Sequence, residues 1–136
     1  MTILTKQYID EHCASLNISR FALTEFTIPD GFTEIGIDAF SQCFALESIN
    51  IPNSVTMIGE EAFDECTSLT NIFIPDSMTT IGKNAFWNCS SLTKIICNNP
   101  NLFTDQNIDN RDQIQFISVS DYLKDNYQTL MNAIND

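Results

Sequence analysis

Three cysteines at a constant spacing have the residue type of metal ligands. Cys43, Cys66 and Cys89 lie 23 residues apart. Zinc sites usually combine close cysteine pairs with histidine ligands, whereas the one histidine of the chain, His12, is far from these cysteines in sequence. Free cysteine behaves as a small apolar residue in protein cores. The spacing therefore predicts a column of small buried residues, and we expect neither a metal ion nor another cofactor.

Two other groups have the residue types of catalytic sites. His12 and Cys13 are adjacent, and neighbouring residues of a helix point about 100° apart, so the imidazole would not face the thiol as a Cys–His nucleophile requires. No third residue that would orient the histidine is evident in the sequence. A solvated acidic face explains the carboxylate pairs Glu60-Glu61 and Asp64-Glu65. We therefore predict that the chain is not an enzyme.

The cysteines occupy one slot of a 23-residue unit that occurs three times in succession. The copies span residues 26–48, 49–71 and 72–94, and the central copy reads INIPNSVTMIGEEAFDECTSLTN. Gapless alignment superposes a proline, a glycine, an Ala-Phe pair, the cysteine and a leucine. Self-similarity at a period of about 20 to 50 residues is typical of a solenoid. Each copy opens with an alternation that predicts a short strand, and the segment from the glycine to the cysteine predicts a helix of about two turns.

The residues outside the clean repeats predict the ends of the coil. Residues 1–25 form an N-terminal cap and a decayed repeat, with a short helix for which Thr5 is the N-cap. Residues 26–97 hold the repeats and the start of a fourth coil. Residues 98–136 form an irregular last repeat, in which we assign Ile117 to the slot of Ile95 at a spacing of 22, and a C-terminal helix.

The predicted C-terminal helix begins near Ser120 and has an amphipathic pattern. Its apolar face comprises Tyr122, Leu123, Asn126, Tyr127, Leu130, Met131 and Ile134. Because the end of a solenoid exposes its core unless something covers it, we expect this helix to cap the last repeat.

The charge of the chain limits its partners. Six Lys and Arg against 18 Asp and Glu give a formal net charge of −12, which repels nucleic acid and anionic lipid. We therefore expect a protein partner, which the acidic charge allows to be basic, and no nucleic acid. No apolar run approaches the roughly 18 residues of a membrane span, so we expect no membrane insertion. The N-terminus lacks a signal-peptide pattern, which favours a cytoplasmic location or secretion without a classical signal.

The repeat unit resembles the BspA-type leucine-rich repeat. The residues that carry the resemblance in the central copy are Ile49, Ile51, Pro52, Ser54, Val55, Ile58, Gly59, Ala62, Phe63, Cys66, Ser68 and Leu69. It implies an α/β fold, a right-handed leucine-rich-repeat solenoid of about five coils with short parallel strands and capping helices at both ends. It also implies protein recognition. Members include bacterial surface adhesins, protist surface proteins and proteins of intracellular bacteria, and the missing leader favours an effector-like role over adhesion.

The positions that vary between copies are the candidates for partner binding. They are Asn50, Asn71, Phe73, Lys94 and Ile96 on the outer side of the strands, and Trp87 on the opposite side of the repeat. We expect Phe73 and Ile96 to be neighbours in adjacent strands and both exposed. The sequence thus favours a non-enzymatic protein-interaction module. The alternatives are a structural or self-assembling protein and a surface-adhesion protein, and we expect a monomer or weak self-association.

Overall fold

Residues 2–135, the part of the chain that the computed structural model describes, form nine β-strands and two α-helices. The strands are β1 (Ile3–Leu4), β2 (Glu25–Thr27), β3 (Glu34–Ile35), β4 (Ser48–Asn50), β5 (Met57–Ile58), β6 (Asn71–Phe73), β7 (Thr80–Ile81), β8 (Lys94–Ile96) and β9 (Gln115–Ile117). The helices are α1 (Lys6–Ser15) and α2 (Val119–Asn135). All strand pairs are parallel, and the predicted solenoid with terminal helices is confirmed.

One side of the coil is a column of the three-residue strands. The strand β2 pairs with β4, and β6 pairs with β8, with a register of 23 residues that matches the repeat. The strand β9 continues beyond β8, and β4 lies beside β6 in the same column. In β2, β4 and β6 the middle residue is buried and its two neighbours are exposed, whereas in β8 Ile96 is buried beside the middle residue, and in β9 Phe116 and Ile117 are both half-buried. The alternation read from the sequence therefore describes the first three of these strands correctly.

A second parallel sheet, which the repeat pattern did not predict, forms another side of the coil. Its strand order is β1-β3-β5-β7. The N-terminal segment adds β1 to the edge of this sheet, before the helix α1. A glycine follows β3, β5 and β7, and a Cβ on Gly59 would lie 2.9 Å from the carbonyl carbon of Gly36 and from the amide nitrogen of Ile37. The glycine slot is thus required because successive coils approach each other closely there.

Turns, and not helices, form the third side of the coil. The prediction of a two-turn helix in each repeat is wrong, because Glu61 (φ 57°) and Glu65 (φ 60°) adopt left-handed backbone angles that interrupt a helix. The amide of Phe63 donates to the carbonyl of Ala85 in the next coil at 2.8 Å. Such bonds between coils replace the bonds to the fourth preceding residue that a helix would make.

Aromatic rings and thiols fill the centre of the coil. The rings of Phe40, Phe63 and Phe86 are fully buried and stacked, with centroids 5.2 and 5.1 Å apart and interplanar angles of 3° and 6°. All five cysteines are free and buried. The core is therefore built from columns of one residue type, and each repeat contributes one member to each column.

The helix α1 covers the first end of this core, as the sequence predicted. The hydroxyl oxygen of Thr5 accepts a hydrogen bond from the amide of Tyr8 at 3.1 Å, which is the expected N-cap. Ile9 and Cys13, one turn apart, are buried in the core. This helix closes the coil because its apolar face is directed at the first repeat.

The strand of the last coil is displaced by one residue from the predicted register. Phe116, and not Ile117, pairs with Ile95, so the spacing at this strand is 21 residues. Phe116 faces the core side, where its ring lies 5.6 Å from that of Phe103, and Ile117 pairs with Ile96. A slip of one residue moves a side chain to the other face of a sheet, so Ile117 joins the outer face.

The helix α2 forms as predicted but does not cover the last coil. None of its side chains is fully buried, and Leu123, Tyr127, Leu130 and Ile134 are 59–65% exposed. The expectation that its apolar face packs on the last repeat is therefore wrong. The half-buried Phe116 and the buried Ile114 end the core without it. Within residues 2–135, neither helix combines the length and apolar character that crossing a membrane requires.

Candidate functional site

The cysteine column is structural and unreactive. The thiol of Cys66 donates to the carbonyl of Phe40 at 3.2 Å, and that of Cys89 donates to the carbonyl of Phe63 at 3.1 Å. Burial raises the pKa of Cys43 to about 11 and that of Cys89 to about 12. The thiolate is the form that attacks electrophiles and binds metals, so these groups are inert at neutral pH. Among the described residues no cluster of three His, Cys, Asp or Glu has metal-binding geometry.

Arginines occupy the cysteine slot at both ends of this column. Arg20 and Arg111 lie three residues before Leu23 and Ile114, as each cysteine lies three residues before the leucine of its repeat. The guanidinium of Arg20 is buried, and one of its nitrogens lies 3.9 Å from the thiol sulfur of Cys43. At the other end, Nε of Arg111 donates to the carbonyl of Phe103 at 2.8 Å. The sequence contained this pattern, because both arginines align with the cysteines.

The adjacent His12 and Cys13 have different surroundings. Cys13 is buried in the core, whereas the ring of His12 packs edge-on against Phe26 with centroids 5.0 Å apart. Burial raises the pKa of the Cys13 thiol. The charge of Arg20 lowers this pKa by a smaller amount, and the charge of Asp10 raises it. A nucleophilic pair needs an exposed thiolate in contact with its base, and this arrangement provides neither.

Carboxylates gather along the side of the coil that consists of turns. We call this group the acidic turn edge, and its members are Asp38, Glu61, Asp64, Glu65 and Asp109. Burial, followed by the charges of Glu65 and Glu61, raises the pKa of Asp64 to about 6. The edge is therefore a region of concentrated negative charge in which one carboxyl group titrates close to neutral pH.

Replacing Asp64 by asparagine should raise the melting temperature above pH 7 and flatten its pH dependence. The pKa of Asp64 is about 6 in the folded chain against an ordinary value of 3.8, so folding favours the protonated form. Its contribution to stability is complete below the ordinary pKa and is lost as the pH rises through the folded pKa. With allowance for solvent screening we expect a gain of about 1 kcal/mol, or roughly 4 °C, at neutral pH.

Thermal unfolding of the unchanged chain and of the Asp64→Asn variant, between acidic and neutral pH, measures this effect. The matched control is Asp30→Asn, which removes the same charge at an exposed turn on another side of the coil. An equal gain in both variants would attribute the effect to net charge alone, and a loss of stability in Asp64→Asn would contradict the assignment.

The outer face of the strand column carries most of the candidate binding residues. We call it the outer sheet face, and it has two rows. The first row consists of Glu25, Ser48, Asn71, Lys94 and Gln115. The second row consists of Thr27, Asn50, Phe73, Ile96 and Ile117. Of these ten side chains only Glu25 and Lys94 are charged, so this face lacks the negative charge of the turn edge.

The apolar part of the outer sheet face is a row of three residues, Phe73, Ile96 and Ile117, which we call the apolar row. Phe73 is 42% exposed, as predicted. Ile96 is only 3% exposed, so the expectation that it is exposed is wrong. It lies between Phe73 and Ile117 in register, in a strand about 4.8 Å from each of its two neighbours. Sequence reasoning missed Ile117 because it placed the last strand one residue out of register.

The other end of the outer sheet face is polar and borders a groove. Asn50 is exposed, and its amide donates to the hydroxyl of Thr27 at 3.1 Å. Both residues line a groove of about 570 Å³ that also contacts Leu16 and Ile18 after the helix α1. The face therefore has a polar end that borders this groove at the first coil and an apolar row at the last coils.

The structure brings most of the predicted binding residues together. Asn71 is exposed and Lys94 is half-buried on the first row, beside the apolar row. Trp87 is half-buried on the turn side, where its carbonyl accepts the amide of Glu65 at 2.8 Å. Trp87 therefore does not belong to the same surface as the other candidates.

Comparison with protein families supports the repeat assignment. The model described as a BspA type leucine rich repeat region matches residues 11–130 with six copies. The match includes the decayed first repeat and most of α2. A comparison with curated proteins found no match.

Two solved structures are similar to the chain. One is a leucine rich repeat protein of T. pallidum, TpLRR, with 28% identity, a TM-score of 0.56 and coverage of 72% of this chain and 40% of that one. The other is a leucine rich cell surface protein from Faecalibacterium prausnitzii A2-165, with 43% identity, a TM-score of 0.52 and coverage of 57% and 21%. The alignments thus span less than half of either protein.

Proposed function

Because the chain belongs to the BspA-type leucine-rich repeat family, we propose that it is a non-enzymatic module that binds a protein through its outer sheet face. Leucine-rich repeat domains commonly bind proteins. The observation that carries the proposal is the exposure of Phe73 in the middle of a face that is almost free of charge. Buried aromatic residues dominate the energy of many interfaces, and charged residues are depleted at their centres.

The chemistry of the outer sheet face describes the partner surface that it fits. The apolar row presents the exposed ring of Phe73 beside the buried Ile96, so it fits an apolar patch of the partner. Asn71 and Lys94 flank this row and provide hydrogen-bond donors for a polar rim. Asn50 and the groove at the first coil extend the contact. The partner surface is therefore apolar at its centre and neutral or acidic where it meets Lys94.

Replacing Phe73 by alanine should weaken partner binding at least tenfold with little change in stability. The ring is exposed in the free protein, and truncation of an aromatic residue at the centre of an interface typically costs about 2 kcal/mol or more. The partner is first captured on the immobilised chain from an extract of the source cells or of the cells they contact. Its dissociation constant is then measured with the purified chain.

The control for this measurement is Ile37→Ala, because Ile37 is 64% exposed outside the outer sheet face. Equal binding by Phe73→Ala and the unchanged chain would refute the assignment of this face. A double variant that includes Ile96 is unsuitable, because Ile96 is buried and its truncation would also destabilise the fold.

Two versions of this proposal differ in where the binding takes place. One version is a module at the cell surface. The 43% identity to part of a leucine rich cell surface protein supports it. The other version is an effector-like role inside a host cell. Protease treatment of intact source cells, followed by detection of the chain, distinguishes them. Digestion of the chain on intact cells supports the surface module, and full protection contradicts it.

A further inference from the structure

The helix α2 presents an apolar stripe that no other part of the described chain covers. Leu123, Tyr127, Leu130 and Ile134 are 59–65% exposed. Their spacing of four, three and four residues is that of a coiled-coil seam, which we call the α2 seam. In water such a seam is stable only when another apolar surface covers it. The helix therefore has the pattern of one partner in a helix pair.

The charge distribution identifies the surface that covers the seam. Residues 1–118 carry 15 Asp and Glu and five Lys and Arg, a net charge of −10, which opposes contact between two copies through the coil. In contrast, residues 126–135 contain no charged side chain. The C-terminal half of α2 is thus the place where a second copy meets the least repulsion. Anionic membrane surfaces prefer helices rich in Lys and Arg, and α2 has one Lys.

We propose that the α2 seam pairs with the α2 seam of a second copy to form a weak antiparallel homodimer. The stripe is self-complementary, because Leu123 then lies opposite Ile134 and Tyr127 lies opposite Leu130 of the second copy. The antiparallel direction places the two acidic coils at opposite ends of the pair. A helix of 17 residues is about 25 Å long, so the coils are separated by more than a Debye length.

The size of the seam sets the strength of the dimer. Eight side chains of this exposure bury roughly 900 Å² in the pair, below the 1,200–2,000 Å² of stable interfaces. We therefore expect a dissociation constant of roughly 10–100 µM. This association does not involve the outer sheet face, so it leaves partner binding by the proposed function available and doubles the number of binding faces.

Sedimentation velocity of the full chain, from about 5 to 500 µM, tests the proposal across this expected range. The mean mass should rise toward that of a dimer with concentration. Leu130→Asp, which puts a charge into the seam, should weaken association at least tenfold. The matched control is Asn132→Asp, which adds the same charge to the same helix outside the seam and should associate like the unchanged chain. Both variants should keep the melting temperature, because both positions are exposed.

Cysteine crosslinking tests the direction of the pair. Antiparallel pairing places Asn126 beside Ala133 of the second copy, so Asn126→Cys with Ala133→Cys should form a crosslinked dimer under mild oxidation. Within one helix these positions are about 10 Å apart, too far for a disulfide. The five native cysteines are buried and do not compete. Efficient crosslinking of Ala133→Cys alone would overturn the antiparallel arrangement.

Three results would overturn the dimer itself. One is a monomer at every concentration. Another is association that Leu130→Asp leaves unchanged, which would locate the contact elsewhere on the chain. The third is a monomer that binds neutral phosphatidylcholine vesicles through α2, which would make a lipid surface the occupant of the seam. None of these results concerns Phe73→Ala, so failure of the dimer and failure of the proposed function are distinguishable.

Discussion

Replacing Arg20 by cysteine, the residue that the three regular repeats have in this slot, should lower the free energy of unfolding by about 3 kcal/mol. The guanidinium of Arg20 is buried and makes five polar contacts at the first end of the cysteine column. Its Nε donates to Oδ1 of Asp10 at 2.7 Å. Its two terminal nitrogens donate to the carbonyls of Ser41 at 2.7 Å and of Lys6 and Ala39 at 3.3 Å.

The size of this effect follows from the partners that would be left unsatisfied. No earlier coil supplies donors at this end, so the carbonyls of Ser41 and Ala39 depend on Arg20. A thiol provides one weak donor in place of the five of a guanidinium, and it is too short to reach Asp10. Buried carbonyls without partners cost roughly 1–3 kcal/mol each, reduced here by whatever water reaches them.

Chemical denaturation with a linear extrapolation measures the loss. Lys124→Ala is the control, because it removes a positive charge from the same acidic chain at an exposed position of α2. It should change the free energy of unfolding by less than about 0.5 kcal/mol. If the denaturant midpoint of Arg20→Cys equalled that of Lys124→Ala, the buried contacts of Arg20 would contribute nothing to stability beyond the effect of its charge.

Truncation of Phe63 to alanine should destabilise the chain by about 3–5 kcal/mol. Phe63 is fully buried, and its ring stacks on Phe40 at 5.2 Å and on Phe86 at 5.1 Å. The variant loses the transfer energy of the ring, leaves a cavity in the middle coil and removes two aromatic contacts. Because domains of this size are stable by only about 5–15 kcal/mol, the fraction of folded protein at elevated temperature should fall markedly.

The outer sheet face supplies a control with the same chemical change. Phe73→Ala removes an identical side chain from the next coil, but its ring is 42% exposed and outside the core, so we expect a loss below about 1.5 kcal/mol. Differential calorimetry of both variants gives the comparison. Equal losses would mean that the stacked column does not dominate the energy of the core.

The alignment of the repeats predicted the core because each buried column requires the same residue type in every coil. The slots of Phe63 and Cys66 are buried in all three copies, and the N-cap at Thr5 was recognised from local chemistry. The prediction that the residues between these slots form a helix was wrong. Residues three apart share a face both in a helix and in a pair of successive turns, and only the hydrogen bonds between coils distinguish the two.

The last coil required tertiary information. The strand β9 follows an irregular loop that shortens the period, and alternation alone allows two registers for it. The structure selects the register in which Phe116 contacts Phe103 and the guanidinium of Arg111 lies 4.9 Å above its ring. The contacts of Phe116 with these two side chains do not follow from the repeat pattern, so the sequence did not indicate them.

By itself, the sequence determined the solenoid, its buried columns and the side on which the variable residues lie, because those features depend on a period that every coil repeats. Tertiary structure decided which variable residues are accessible. Ile96 is buried at a position between Phe73 and Ile117, and the seam of α2 is exposed although its pattern is apolar. Accessibility depends on the neighbours of a side chain in space, and at the end of a repeat the period no longer specifies those neighbours.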